Sequence, residues 1–131
     1  MTSCSFPKEE RLCSKKLIEA LFGGGHKSMS AYPVRAVFMP IGQESTDIRP
    51  IQVLISVSKR HFKHAVDRNR VKRQLREAYR LNRHLLLRHL PSGTQLVVAF
   101  IWLSPEHFDS AAIHTKMQKL LLRIGESLRE T

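Results

Sequence analysis

Nine consecutive residues, Gln95-Leu-Val-Val-Ala-Phe-Ile-Trp-Leu103, limit the fold more than any other stretch of the chain. After Gln95 the run is apolar throughout, and it is bounded by Pro91-Ser92-Gly93 on one side and Ser104-Pro105 on the other. A half-exposed strand alternates polar and apolar residues, so a strand apolar at every position needs cover on both faces. The rest of the chain must supply that cover. Ile51 to Val57 is one neighbour, with Ile51, Val53, Ile55 and Val57 alternating against Gln52, Leu54 and Ser56 as in a half-buried strand. Tyr32-Pro33 opens another, Val34 to Met39, with Val34, Ala36 and Phe38 on one face and Arg35 and Val37 on the other. Pro40 to Asp47 reads as a polar turn region.

Helices supply the second layer. Val71, Leu75, Ala78, Tyr79, Leu85 and Leu86 recur at helical spacing, with Asn82 interrupting the stripe, and predict a helix that starts between His64 and Val66. Ser104-Pro105-Glu106 carries the signature of a second helix start, followed by an apolar face of Phe108, Ala112, Met117, Leu120, Leu121, Ile124 and Leu128. Near the N-terminus, Ser14 caps a predicted helix from Lys15 to Phe22 that Gly23-Gly24-Gly25 ends. Its pairs Leu17/Leu21 and Ile18/Phe22 leave two arrangements open: both pairs in the core, or one in the core and the other at or near the surface. Residues 1–10 read as a loosely held arm. The pattern is α+β, helices on a small sheet, in a single domain spanning residues 1–131.

Charge then narrows the function. Ser58 to His89 holds eleven of the 22 Lys and Arg residues against two acids, Asp67 and Glu77, and so carries nearly all of the chain's +11. Crowding like charges destabilises a folded domain by self-repulsion, which points to a polyanionic partner. On a helix, Lys72, Arg76 and Arg83 project from a shoulder beside the apolar stripe, with Arg73 and Arg80 one step further round. Arg68, Asn69 and Arg70 gather at the start of that helix, where free backbone N–H groups favour an anion. Arginine forks suit phosphates and base edges, and asparagine suits a base edge or sugar hydroxyl.

Other classes fare poorly. The seven histidines are scattered, and His61-x-x-His64 lacks Cys or carboxylate companions for zinc. No glycine-rich phosphate loop, serine-nucleophile motif or paired acidic constellation is present, so neither a catalytic nor a metal-ligating residue is assigned to the protein. Cys4 and Cys13 are too few for a disulfide framework, and reduced thiols fit a cytoplasmic protein. No run of eighteen apolar residues occurs, so no membrane contact is expected.

Val57-Ser58-Lys59-Arg60, Ala65-Val66, Arg68-Asn69-Arg70, Lys72-Arg73 and Arg76-Glu77 together resemble the signature of the bacterial ribonuclease P protein subunit. In that family a strand ending in Val-Ser-Lys-Lys/Arg leads into a helix opening with Ala-Val-x-Arg-Asn-Arg. The tripeptide alone is weak; the combination is strong. Ile18 stands where many relatives have Phe, and His61-Phe62-Lys63 replaces a turn that commonly contains glycine.

The resemblance implies a two-layer α/β sandwich of order α-β-β-β-α-β-α, ribosomal protein S5 domain 2-like, with a left-handed βαβ crossover. It implies binding of the ribonuclease P RNA, for which the basic run offers Lys59, Arg60, Arg68, Asn69, Arg70, Lys72, Arg73, Arg76 and Arg80. It further implies a cleft for the 5′ leader of precursor tRNA, to which Ile18, Phe22, Arg35, Lys72 and Arg76 are assigned. Catalytic groups and Mg²⁺ then belong to the RNA subunit of a tRNA-processing endoribonuclease. A small ribosomal protein or RNA chaperone is the alternative. A DNA-binding regulator lacks a helix-turn-helix partner or heptad extension, so DNA is not expected.

Overall fold

A computed structural model describes residues 27–42, 51–90 and 94–129. They form strands β1 (Lys27–Ala31), β2 (Val34–Gly42), β3 (Ile51–Ser56) and β4 (Thr94–Trp102), and helices α1 (Ala65–Asn82), α2 (His84–Leu87) and α3 (Ser110–Arg129). The predicted arm at residues 1–10 and helix at Lys15–Phe22 lie outside the described residues.

The strands make one sheet in the order β1-β2-β4-β3. β4 is internal, antiparallel to β2 and parallel to β3. That position accounts for its composition: Gln95 through Phe100 and Trp102 are all buried. One face of the sheet presents Val34, Ala36, Phe38, Ile51, Val53, Leu96, Val98, Phe100 and Trp102 to the helices. Val71, Leu75, Ala78 and Tyr79 of α1, Leu86 of α2, and Ile113, Met117, Leu120, Leu121, Ile124 and Leu128 of α3 close on them. The opposite face carries a smaller cluster of Val37, Val97 and Ala99, with Met39, Leu54 and Ile101 beside it. α1 lies over β3, and α3 lies over β1 and β2.

Three sequence expectations need correction, and one strand that the order α-β-β-β-α-β-α implies has no residues assigned to it from the sequence. Lys27–Ala31 is a strand, paired with Val34–Phe38 across a two-residue turn at Tyr32-Pro33. Its sequence, Lys-Ser-Met-Ser-Ala, has neither β-branched nor aromatic residues, so pairing rather than propensity makes it a strand. β2 does not turn at Pro40 but runs on to Gly42, with Pro40 opposite Leu96. Among the described residues β1 begins opposite Phe38, so Pro40 lies where only β4 pairs, and a proline fits if its nitrogen points away from that partner.

The basic helix, in turn, breaks after Asn82. Asn82 is 3% exposed, and its side-chain amide donates to the Ala78 carbonyl at 2.8 Å and reaches His114 Nδ1 on α3 at 3.2 Å. The residue that interrupts the stripe is therefore a satisfied polar bolt between helices. The segment after α2 packs so closely on α3 that a Cβ at Gly125 would stand 2.7 Å from the His89 ring.

Finally, Ser104-Pro105-Glu106 does not open α3. Ser104 Oγ accepts from the Glu106 N–H in a local turn, and α3 begins at Ser110 with Asp109 Oδ1 accepting from the Ala112 N–H at 2.7 Å. Phe108 precedes the helix, Ala112 is only half-buried, and Ile113 takes the core position.

Because β3 and β4 are parallel and each is followed by a helix, the N-termini of α1 and α3 emerge at the same end of the sheet. The β1–β2 turn is there as well, since Val34 pairs with Trp102 and the Pro33 carbonyl accepts from the Leu103 N–H at 2.8 Å. Replacing fully buried Leu75 on α1 by Ala should cost about 2–5 kcal/mol in urea unfolding. Leu81→Ala on the same helix, at a position 47% exposed, should stay within about 0.5 kcal/mol.

Candidate nucleic-acid interface

The basic run begins with a tight turn. The Ser58 carbonyl accepts from the N–H groups of His61 and Phe62, at 3.1 and 3.2 Å, while Ser58 Oγ accepts from the Arg60 N–H at 3.0 Å. Phe62 inserts into the core, which leaves Lys59, Arg60 and Lys63 exposed on the outer side. No non-glycine residue takes a positive φ among the described residues, so this turn forms without glycine. α1 starts at Ala65 after His64, whose side chain caps nothing. First-turn N–H groups without a side-chain cap favour an anion.

Arg68 differs from its two neighbours. Its Nη1 donates to the carbonyls of Phe62 at 2.9 Å and Lys63 at 3.0 Å, so its guanidinium clasps the end of the turn onto α1. Asn69 and Arg70 are exposed. Sequence reasoning placed all three residues on the RNA side. The structure gives Arg68 an inward structural bond and leaves Asn69 and Arg70 outward.

Beyond them, the stripe Val71-Leu75-Ala78-Tyr79 fixes the rotation of α1. Its flank toward α3 carries Asp67 and Gln74, which bond His107 and Phe108 with Ser110, while Asn82 within the stripe reaches His114. At about 100° per residue, Lys72 and Arg76 fall on the opposite flank, beyond the edge strand β3, with Asn69 and Arg73 next round the helix. Arg73 and Arg76 are exposed and Lys72 half-buried.

Both acids of the run are engaged. Asp67 Oδ1 meets His107 Nε2 at 3.1 Å, and Glu77 pairs with Arg80 one turn on. The hydrogen bond from Arg80 lowers the Glu77 carboxyl from its ordinary value, burial opposes that, and the charge of Arg80 adds to the lowering. Among the described residues no carboxylate pairs with Lys59, Arg60, Lys63, Arg70, Lys72, Arg73 or Arg76. Arg80, grouped with them from the sequence, is tied to Glu77 and 17% exposed.

The residues assigned to a leader cleft separate. Lys72 and Arg76 share the outer flank of α1. Arg35 is half-buried on β2, on the sheet face opposite the helices, beside Val37 and opposite Ile101 of β4. Two strand spacings, about 10 Å, lie between it and β3. Ile18 and Phe22 fall outside the described residues. No three His, Cys, Asp or Glu side chains converge on a possible metal position among the described residues. No helix there is long and apolar enough to cross a membrane.

Comparison with known proteins gives this arrangement a family. The family profile described as Ribonuclease P matches residues 6–125. The ribonuclease P protein component of Porphyromonas gingivalis is 42% identical over 119 residues, covering 90% of this chain and 85% of that protein. That of Chlorobium phaeobacteroides is 34% identical over 105 residues, covering 76% and 72%. The chain belongs to the ribonuclease P protein family. The solved ribonuclease P protein of Thermotoga maritima superposes with a TM-score of 0.66 at 23% identity, over 87% of this chain and 96% of that one, and shares the fold.

Membership in the ribonuclease P protein family brings an RNA partner, and the unpaired cations of the turn and α1 are the part of the surface suited to one. Replacing Arg68 by Ala should cost about 1–2 kcal/mol of stability, through the lost charge-assisted bonds to two carbonyls. Arg70→Ala should stay within about 0.5 kcal/mol, and chemical denaturation of both variants checks the contrast.

The Glu77 end of the Glu77–Arg80 pair is exposed, so the pair contributes only about 0.3–0.5 kcal/mol. Because the folded pKa of Glu77 is lowered from 4.5, that increment is present above the ordinary carboxylate range and lost as pH falls through the lowered value. Glu77→Gln should therefore lower stability slightly at pH 7 and not at all in strong acid.

Proposed function

We propose that this chain is the protein subunit of a bacterial ribonuclease P, binding the catalytic RNA and the 5′ leader of precursor tRNA so that the leader is removed. The observation that carries the reading is the row of cations on the turn and outer flank of α1 that have no carboxylate partner among the described residues, in a chain of this family. Lys59, Arg60, Asn69, Arg70 and Arg73 face the ribonuclease P RNA in this reading, and Arg68 holds the turn that presents them.

Lys72 and Arg76 on the β3 side of α1 track the leader's phosphates. Arg35 marks the far side of the cleft, and Phe22 supplies a stacking surface from the N-terminal segment. Ile18, aliphatic, offers packing rather than stacking.

Hydrolysis of the phosphodiester needs an activated water and stabilisation of charge on the leaving oxygen. The described residues bring no cluster of acids or histidines together for that work. We assign it to the RNA and its Mg²⁺, which would activate the water and stabilise the charge on the leaving oxygen. The protein's own contribution is electrostatic and positional. Its cations replace the counterions that would otherwise hold two polyanions apart, and that contribution grows as salt and Mg²⁺ are lowered. A cytoplasmic site of action follows from the substrate.

The test is cleavage of precursor tRNA by a transcribed bacterial ribonuclease P RNA at low Mg²⁺, with and without the protein. Strong stimulation, with no cleavage by protein alone, is expected. Tight RNA binding without stimulation would favour a ribosomal protein or RNA chaperone, and cleavage by protein alone would overturn the assignment of the chemistry. In the same assay Arg70→Ala should weaken holoenzyme assembly while leaving the fold unchanged.

A further inference from the structure

Asp67 is the only acid between Ser58 and Arg76, and it sits in the first turn of α1, among the cations that face a polyanion. A free carboxylate there would repel phosphate, so its surroundings decide whether it serves a purpose. Asp67 Oδ1 lies 3.1 Å from Nε2 of His107, forty residues away on the β4–α3 connection. A carboxylate can only accept, so the ring nitrogen Nε2 carries the hydrogen. The same ring stacks on Phe62, with centroids 4.6 Å apart and planes 24° from parallel. Phe62 is the buried end of the basic turn, and its carbonyl is one of the two that Arg68 clasps. Nδ1 of His107 is buried without a hydrogen-bond partner among the described residues. The imidazole is therefore placed by Asp67 and Phe62, and it leaves one polar atom unsatisfied in taking that place.

A second fastening lies one flank-length along the helix. Gln74 Nε2 donates to the Phe108 carbonyl and to Ser110 Oγ, both at 3.1 Å. Asp67 and Gln74 are seven residues apart and share one flank of α1. Between them they lock the helix's rotation against the β4–α3 connection. Only the His107 contacts also reach the turn.

We propose that His107, acting through Asp67 and Phe62, is a positioning residue for the RNA contact. It holds the Ser58–Lys63 turn and the first turn of α1 as one preset unit, so that Lys59, Arg60, Asn69 and Arg70 need not be ordered when RNA binds. The proposal rests on the RNA-binding reading above. It gives Asp67 a role opposite to the one its charge suggests.

The two roles predict opposite signs. If Asp67 were merely a solvated acid beside a polyanion, removing it by any substitution would tighten RNA binding. As the acceptor for His107, its loss loosens the turn and weakens binding. Affinity for a transcribed bacterial ribonuclease P RNA is measured for wild type, Asp67→Ala, Asp67→Asn, His107→Ala and the double Ala variant, with circular dichroism and thermal unfolding alongside. Asp67→Ala and His107→Ala should each bind about three- to tenfold more weakly, as expected for lost preorganisation. The double variant should be no weaker than the worse single one. Asp67→Asn keeps an oxygen for the imidazole and drops the charge, so it should bind at least as tightly as wild type.

Asp67→Ala binding as tightly as Asp67→Asn would overturn the proposal, and so would additive losses in the double variant. Should His107→Ala fail to unfold cooperatively, the two Asp67 substitutions, at a half-exposed position, decide the matter. Failure of the wild-type protein to bind the RNA would reject the parent reading itself, a result separable from all of these.

Discussion

The parallel pairing of β3 with β4 is the constraint on which the remaining structure depends. Parallel neighbours cannot be joined by a hairpin, so the chain must cross back over the sheet, and α1 is that crossover. The crossover places the start of α1 at the C-terminal end of β3, beside the start of α3, which follows β4. A turn rich in cations, the first turn of a helix without a side-chain cap, and the connection carrying His107 and Phe108 are thereby gathered at one end of the sheet. None of these features would suffice alone. Topology assembles them.

The apolar stripe of α1 then decides which cations face outward. Val71, Leu75, Ala78 and Tyr79 must meet the sheet, and Asp67, Gln74 and Asn82 must meet α3 and its leading connection. What remains is the flank beyond β3, where Lys72 and Arg76 project, and the outer surface that carries Asn69 and Arg73. The helix is thus divided among three neighbours, two of them supplied by the fold. On the proposed reading the third is a polyanion. The repulsion stored among these cations is a cost to the free protein that phosphate binding removes, so the affinity for RNA and the strain of the isolated domain share one origin.

Much of this was legible from residues. The apolar run at Gln95–Leu103 announced an internal strand, and the alternation of Ile51–Val57 announced its neighbour. The start of α1 and its buried positions followed from spacing. β1 was not legible because Lys-Ser-Met-Ser-Ala has no strand preference of its own. The start of α3 was misplaced because Ser104 and Pro105 mimic a cap, whereas Asp109 is the residue whose carboxylate meets a first-turn N–H. Arg68 and Arg70 look alike in sequence, and only three dimensions show that one faces inward to two carbonyls while the other faces outward. His107 gave no local signal, since its partners Asp67 and Phe62 lie forty or more residues earlier. The charge surplus around Asp67 was the one hint that an acid at that position needed an explanation.

The central claim is that unpaired cations on the turn and outer α1 carry the RNA contact by neutralising phosphates. The slope of log affinity against log salt concentration, for a transcribed ribonuclease P RNA, tests it most directly. Loss of one phosphate contact should flatten that slope by about 0.7–0.9. The account predicts such flattening for Arg70→Ala and for Arg73→Ala, and an unchanged slope for Arg80→Ala, whose guanidinium is held by Glu77. Equal slopes for all three variants and wild type would contradict it.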